Sequence, residues 1–261
     1  MTAGTNRLAG KVVIITGTGS GQGRTAARTF AREGATVIGA DLNAAGNAET
    51  AALVASDGYA MDATHPVDLG DPGAVNTWIG EAIERHGRVD VLYNNASVPR
   101  FGAFGDVSEE DFRFTVRNEI DIVWFPSKAV WGQMVNQGGG VIINVGSIAG
   151  IVGDRGFGQT AHALTKGAVI AFTRQLAAEG AAHGIRVNSV SPGTIATPTV
   201  LGMLEELGDD APFMGMIRHT FNNAPGSMED PVNAALFLAS DDAGWITGQD
   251  FVVDGGTSVF I

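Results

Sequence analysis

The 261-residue chain contains no cysteine, which excludes disulfides, thiolate metal sites and cysteine nucleophiles and suits a reducing compartment. Basic residues are scarce: 16 Lys and Arg stand against 28 Asp and Glu, a formal net charge of -12 that repels phosphate backbones and anionic lipid at long range. Nucleic acid and membrane surfaces are therefore not expected as partners. No run of about 18 apolar residues occurs, and the opening MTAGTNRLAGK lacks the apolar stretch of a leader. A cytoplasmic protein is expected. Pro, Gly and Ser never concentrate into a linker and no segment repeats at a fixed period, so residues 1–261 are expected to form one domain.

What is present is an alternation. KVVIITG is a short β-branched run ending in glycine, and GQGRTAARTFAREGA after it has helical apolar spacing. ATVIGAD, VDVLYNN, GGVIINVGS, IRVNSVSPG and ITGQDFVVDGG read as further strands. DPGAVNTWIGEAIERHG, ALTKGAVIAFTRQLAAEGA and DPVNAALFLAS read as helices between them. SEEDFRFTVRNEIDIVWFPSKAVWGQMV reads as one long helix capped by Ser108, with Glu110 and Asp111 in its first turn. Nearly all-apolar strands alternating with helices imply an α/β fold, a Rossmann-type doubly wound parallel sheet with helices on both faces. Such a sheet takes ligands at the carboxyl ends of its strands.

TGTGSGQG falls at the first strand-to-helix junction. There Gly17, Gly21 and Gly23 let the backbone approach a pyrophosphate, and Ser20 and Gln22 open a helix whose N-terminus attracts anions. Asp41, followed by Leu42, ends the second strand 24 residues after Gly17. A carboxylate there accepts both ribose hydroxyls and repels a 2'-phosphate. No arginine follows Asp41 and residue 20 is not basic, so NAD is expected rather than NADP.

TGTGSGQG, DLGDPGAV, VLYNNAS, INVGS, HALTK, RVNSVSPGTIATP and GQDFVVDGG occur in one order and spacing over nearly the whole chain. In that order and spacing the chain resembles the classical short-chain dehydrogenase/reductase family. The resemblance implies that Asp68 and Leu69 flank the adenine, with Asp62 as a rival. It also implies that Asn95 and Ala96 line the cofactor channel, and that Pro192, Gly193, Ile195 and Thr197 hold the nicotinamide end. A homo-oligomer, a tetramer, is implied in the same way.

The family tetrad is Asn, Ser, Tyr and Lys. Ser147 and Lys166 carry over as substrate-orienting hydroxyl and as lysine, but His162 stands four residues before Lys166, where the family has tyrosine. Positions 162 and 166 share one helix face. Thr160 is too far from the lysine, and Thr165, adjacent to it, is expected to point elsewhere. Ungapped counting places Glu119 at the tetrad Asn, with Asn118 one residue early, and Ser97 where the family has glycine. An ordinary imidazole, with a pKa near ~6.5 against ~10 for a phenol, is mostly neutral at pH 7 and competent as a base. The imidazole also reaches roughly 2 Å less far than a phenol.

The expected activity is NAD-dependent hydride transfer between a secondary alcohol and its ketone, with Ser147, His162, Lys166 and Glu119 as the catalytic set. Two alternatives stand beside it. One is a non-redox lyase, isomerase or dehydratase using His162 and Glu119; the other is a cofactor-binding subunit without activity. Residues 197–226 fall where the family carries a substrate lid. Met203, Leu204, Phe213, Met214 and Met216, with Phe101, Phe104 and Phe157, are candidate walls for an apolar or aromatic substrate. Arg100, Arg155 and Arg218 leave a substrate carboxylate open, and no metal site is expected.

Overall fold

Val12 to Thr16 are buried along their whole length as strand β1, and a strand buried on both faces requires helices on both. The computed structural model, which describes residues 5–64 and 66–259, has that arrangement. Residues 1–4 of the stretch read for a leader lie outside the described part. The first half of the chain runs β1 (Val12–Thr16), α1 (Gly21–Arg32), β2 (Thr36–Ala40), α2 (Ala44–Ser56), β3 (Met61–Thr64), α3 (Pro72–His86), β4 (Val91–Asn94) and α4 (Glu109–Val116). A π turn (Arg117–Asp121) leads into α5 (Ile122–Asn136), β5 (Gly140–Val145), α6 (Thr160–Gly180) and β6 (Ile185–Pro192). Then come α7 (Pro198–Leu207), α8 (Met214–Arg218), α9 (Glu229–Ala239) and β7 (Asp250–Val253).

The seven strands pair in parallel in the order β3-β2-β1-β4-β5-β6-β7. Successive side chains of a strand point to opposite faces. Val13 and Ile15 enter one apolar layer with Phe30 of α1 and Leu236 of α9. Val12 and Ile14 enter the other with Trp78 of α3, Val130 of α5 and Val169 of α6. The chain reverses its direction of travel across the sheet between β1 and β4, which opens a crevice at their carboxyl ends.

Three features depart from the sequence reading. Strand β3, MDAT, is an edge strand whose four residues are all half-buried, so it carries no apolar run to announce it. Helix α2 precedes it, Ala-rich and capped by Asn43, whose side chain accepts from Gly46 N. The long helix starts where expected, with Ser108 Oγ accepting from Asp111 N at 3.0 Å. It is interrupted, however, by the π turn that holds Glu119. Pro126 lies inside α5 just beyond and removes the hydrogen bond that Ile122 O would otherwise accept.

The loop that carries Ser147 is pressed against α6. A Cβ on Gly150 would sit 2.6 Å from Gly167 N and 2.7 Å from Lys166 C, both backbone. Gly150→Ala is therefore expected to cost about 1–3 kcal/mol. Gly153→Ala, where a Cβ would meet nothing within 4 Å, is expected to change stability by less than about 1 kcal/mol. Urea unfolding of both variants measures the difference, and equal losses would contradict the close approach.

Candidate active site

A cavity of about 760 Å³ opens at the carboxyl ends of the strands. Of the residues singled out above for cofactor or chemistry, all but Glu119 and the rival Asp62 line it. Asp68 and Leu69 are on the wall, whereas Asp62 is not: its carboxylate accepts from Arg85 at 2.8 Å and contacts His86 at 2.9 Å.

The nucleotide half is built from close backbone approaches. Gly17 has φ +74, and a Cβ on it would meet Ala96 Cα at 2.9 Å. A Cβ on Gly23 would meet Gly17 O at 1.9 Å, so α1 packs directly on the loop. Above Gly21, with φ +52, a Cβ would meet nothing within 4 Å, and that space belongs to the cavity. Ser20, the N-cap of α1, supplies no side-chain acceptor, which leaves the first-turn N–H groups for an anion. Asp41 is held rigidly: Oδ2 accepts from Gly19 N and Oδ1 from Asn43 N, both at 2.8 Å. Gln22 Oε1 and Thr194 Oγ1 are buried on this wall with no protein partner among the described residues. Thr194 was not singled out by the sequence, because a threonine inside SPGTIATP has no pattern of its own. These residues fit a dinucleotide.

At the chemical end the side chains converge on Glu119, which is 0% exposed. His162 Nδ1 lies 2.9 Å from its Oε1 and 3.0 Å from its Oε2. Ser97 Oγ donates to Oε1 and Thr165 Oγ1 to Oε2, each at 2.5 Å. Lys166 Nζ is 3.7 Å from Oε1 and donates to Val145 O at 2.9 Å. Burial pushes the Glu119 carboxyl up, but the His162 hydrogen bond, the Lys166 charge and the Ser97 hydroxyl outweigh it and hold the group below the ordinary carboxylate range. Burial pushes Lys166 down, and Glu119 offsets part of that effect. An ionised carboxylate only accepts, so Nδ1 carries the proton, and Nε2 has no protein partner among the described residues.

One expectation changes here. Thr165 does not point away from the site; it is buried and bound to Glu119. Asn118 lines the cavity, but its side chain is tied to its own helix through Nδ2 and Phe114 O at 2.8 Å, so Glu119 is the residue that faces Lys166. Asn118 and Glu119 both lie inside the π turn, where the side-chain spacing departs from that of an α-helix.

The remaining wall is apolar. Phe101 packs on Phe157 at 4.7 Å between ring centroids and meets the His162 ring edge-on at 5.5 Å. Met203, Phe213 and Met216 line the cavity. Leu204 and Met214 instead pack on the small cluster of Ala211, Phe213 and Ile217, and Phe104 is 84% exposed. None of Arg100, Arg155 and Arg218 is on the wall; Arg100 pairs with Asp111 and Arg218 with Asp209. Among the described residues, the wall carries Asp41, Asp68, His162 and Lys166 as its titratable groups, and no group of three or more His, Asp or Glu is arranged to hold a metal.

Because Glu119 ionises at lower pH folded than the value of about 4.3 for an unfolded glutamate, the unfolded chain binds more protons between the two. Stability therefore rises with pH in that window: the contribution is present above about pH 4.3 and lost as pH falls through the folded value. The stability gap between the wild type and Glu119→Gln, measured by urea unfolding, should shrink between about pH 5 and pH 3. A gap that is constant or grows would contradict an ionised Glu119.

No helix among the described residues is long and apolar enough to cross a membrane. A family model described as enoyl-(acyl carrier protein) reductase matches residues 17–258. Oxidoreductase UcpA of Escherichia coli strain K12 is 36% identical over 257 residues, covering 97% of this chain and 96% of that protein. Meso-2,3-butanediol dehydrogenase of Serratia marcescens is 38% identical over 257 residues, with 97% and 96% covered. The solved structure of 7α-hydroxysteroid dehydrogenase, complexed with NADH and 7-oxo glycochenodeoxycholic acid, matches with a TM-score of 0.88 at 32% identity, covering 98% of this chain and 97% of that one. With its parallel seven-stranded sheet and these relatives over nearly its full length, the chain belongs to the short-chain dehydrogenase/reductase family of oxidoreductases.

Proposed function

We propose that the protein is an NAD-dependent dehydrogenase interconverting a secondary alcohol and its ketone, with His162 as the acid/base where the family resemblance expects tyrosine. The observation that carries this reading is the contact of His162 Nδ1 with a buried carboxylate, which leaves Nε2 as the ring nitrogen free for substrate. The family binds nicotinamide cofactors. The choice of NAD rests on Asp41, which accepts ribose hydroxyls and repels a 2'-phosphate, and on the wall, where Lys166 is the only Lys or Arg among the described residues. The glycine loop with Ser20 and Gln22 takes the pyrophosphate. Asp68 and Leu69 take the adenine, and Asn95, Ala96, Lys166, Pro192, Gly193, Ile195 and Thr197 take the nicotinamide half.

When bound, NAD supplies the acceptor for the hydride that leaves the alcohol carbon. Ser147 Oγ accepts from Ala149 N at 3.1 Å, so its own proton is available to hold the substrate oxygen. His162 Nε2 takes the hydroxyl proton, and Glu119, staying ionised, stabilises the imidazolium that forms. The shorter reach of imidazole draws the substrate oxygen closer to α6 than a phenol would. Glu119 contributes nothing to the cavity wall, so a non-redox reaction needing both His162 and Glu119 on the substrate lacks one of its two groups.

The substrate is a neutral apolar or aromatic alcohol. Phe101, Phe157, Met203, Phe213 and Met216 provide the surface, and no arginine stands ready for a carboxylate. Residues 197–226 act as its lid, and the working form is a cytoplasmic homotetramer. His162→Gln should lower kcat/KM for alcohol oxidation by about a hundredfold or more, followed by reduced-nicotinamide absorbance, with NAD affinity by fluorescence titration unchanged. Full activity of that variant from pH 5 to pH 10 would sink the assignment. Asp41→Ala should cut the kcat/KM ratio of NAD over NADP by about tenfold or more; an unchanged ratio would remove Asp41 from cofactor choice.

A further inference from the structure

Ser97 and Thr165 take no part in the reaction just proposed, yet both donate to the same buried carboxylate. A hydroxyl has one proton to give, and Thr165 Oγ1 has three acceptors in range: Glu119 Oε2 at 2.5 Å, His162 O at 2.9 Å and Ala161 O at 3.1 Å. A helical threonine ordinarily bonds back to the carbonyl of the preceding turn. Here the shortest contact, and the only charged one, is Glu119, so the proton goes there. Ser97 makes the matching contact on Oε1 at 2.5 Å from the loop after β4. The carboxylate is thus gripped on each oxygen by a hydroxyl from a different element, and His162 Nδ1 bridges the two oxygens at 2.9 and 3.0 Å.

Among the described residues no other hydroxyl bonds this carboxylate. Glu119 has no exposed surface, so water does not saturate it, and Lys166 Nζ, at 3.7 Å, is engaged with Val145 O. Without the hydroxyls the carboxylate would be free to rotate within the widened π turn, and Nδ1 would lose its bridging acceptor. The imidazole could then carry its proton on Nε2, the nitrogen that must be bare to accept a proton from substrate.

We infer that Thr165 and Ser97 are positioning residues that clamp Glu119 so that His162 keeps its proton on Nδ1 and presents a bare Nε2 to the cavity. The inference rests on the proposed role of His162 as acid/base. Neither residue touches substrate or cofactor in this account: Thr165 is off the cavity wall, and Ser97 reaches the wall while directing its hydroxyl to Glu119.

Thr165→Val keeps the shape and removes the hydroxyl, whereas Thr165→Ser keeps the hydroxyl and removes the methyl; Ser97→Ala is the independent second variant. In the NAD-bound protein, Thr165→Val should lower kcat for alcohol oxidation about tenfold or more, with the alcohol KM and the NAD affinity held within about twofold. Its pH–rate profile should also shift, Thr165→Ser should recover most of the rate, and Ser97→Ala should fall in the same direction as Thr165→Val. Nitrogen-15 NMR of histidine-labelled protein should assign the proton of His162 to Nδ1 in the wild type and in Thr165→Ser, and to a mixture of both nitrogens in Thr165→Val. The inference is overturned if Thr165→Val keeps the wild-type rate, profile and tautomer, or if Thr165→Ser is as impaired as Thr165→Val. Should Thr165→Val not fold, Ser97→Ala carries the same test, and an unchanged tautomer and rate there overturns the clamp. His162→Gln separates the two readings: if it is fully active the acid/base role fails, whereas if it is inactive while the clamp variants are normal, only the clamp fails.

Discussion

A carboxylate without any exposed surface is among the most expensive groups a fold can hold, and Glu119 sets the terms for the centre of this one. Its burial is tolerable because four side chains from two elements surround it: Ser97 after β4, and His162, Thr165 and Lys166 on α6. Each depends on the fold for its place. The π turn aims Glu119, the parallel sheet sets α6 against the Ser147 loop, and Gly150 lets that approach close to backbone distance. Without the carboxylate, His162 would be a lone imidazole beside a buried lysine.

This arrangement explains how departures from a family pattern can accompany one another. The resemblance expects glycine, asparagine and tyrosine at 97, 119 and 162, and of the residues actually present the Ser and the His both contact the Glu. Random decay has no reason to replace three positions far apart in sequence with side chains that satisfy one another's hydrogen bonds. The contacts argue for a single altered proton-handling device on an oxidoreductase scaffold. Its carboxylate does for the imidazole what an orienting acid does in other histidine dyads: it fixes one nitrogen as donor and frees the other.

Much of this was legible in the sequence, for definite reasons. The glycine loop and Asp41 could be placed because the cradle needs positive φ at Gly17 and Gly21 and no side chain at Gly23. His162 and Lys166 could be put on one face because a helix repeats in about four residues. Other features have no local signal. Strand β3 is a half-buried edge without an apolar run, and the Ala-rich α2 before it has little amphipathic pattern. The π turn is a one-residue widening with no residue pattern of its own, and Thr165, adjacent to Lys166, reads as lying on a different face of an ideal helix. Nor can composition tell which Met and Phe side chains reach a cavity: Met203, Met214 and Met216 all pack on one small cluster, and of the three Met203 and Met216 also line the cavity.

The central claim is that the imidazole at position 162, held by Glu119, is the group that moves the substrate proton. Chemical rescue tests it most directly. In His162→Ala, the space left beside Glu119 and the cavity can admit free imidazole. The account predicts that alcohol-dependent reduction of NAD is lost in this variant and returns, in a saturable manner, as imidazole is added. Undiminished turnover without imidazole would contradict it, because some other group would then be taking the proton.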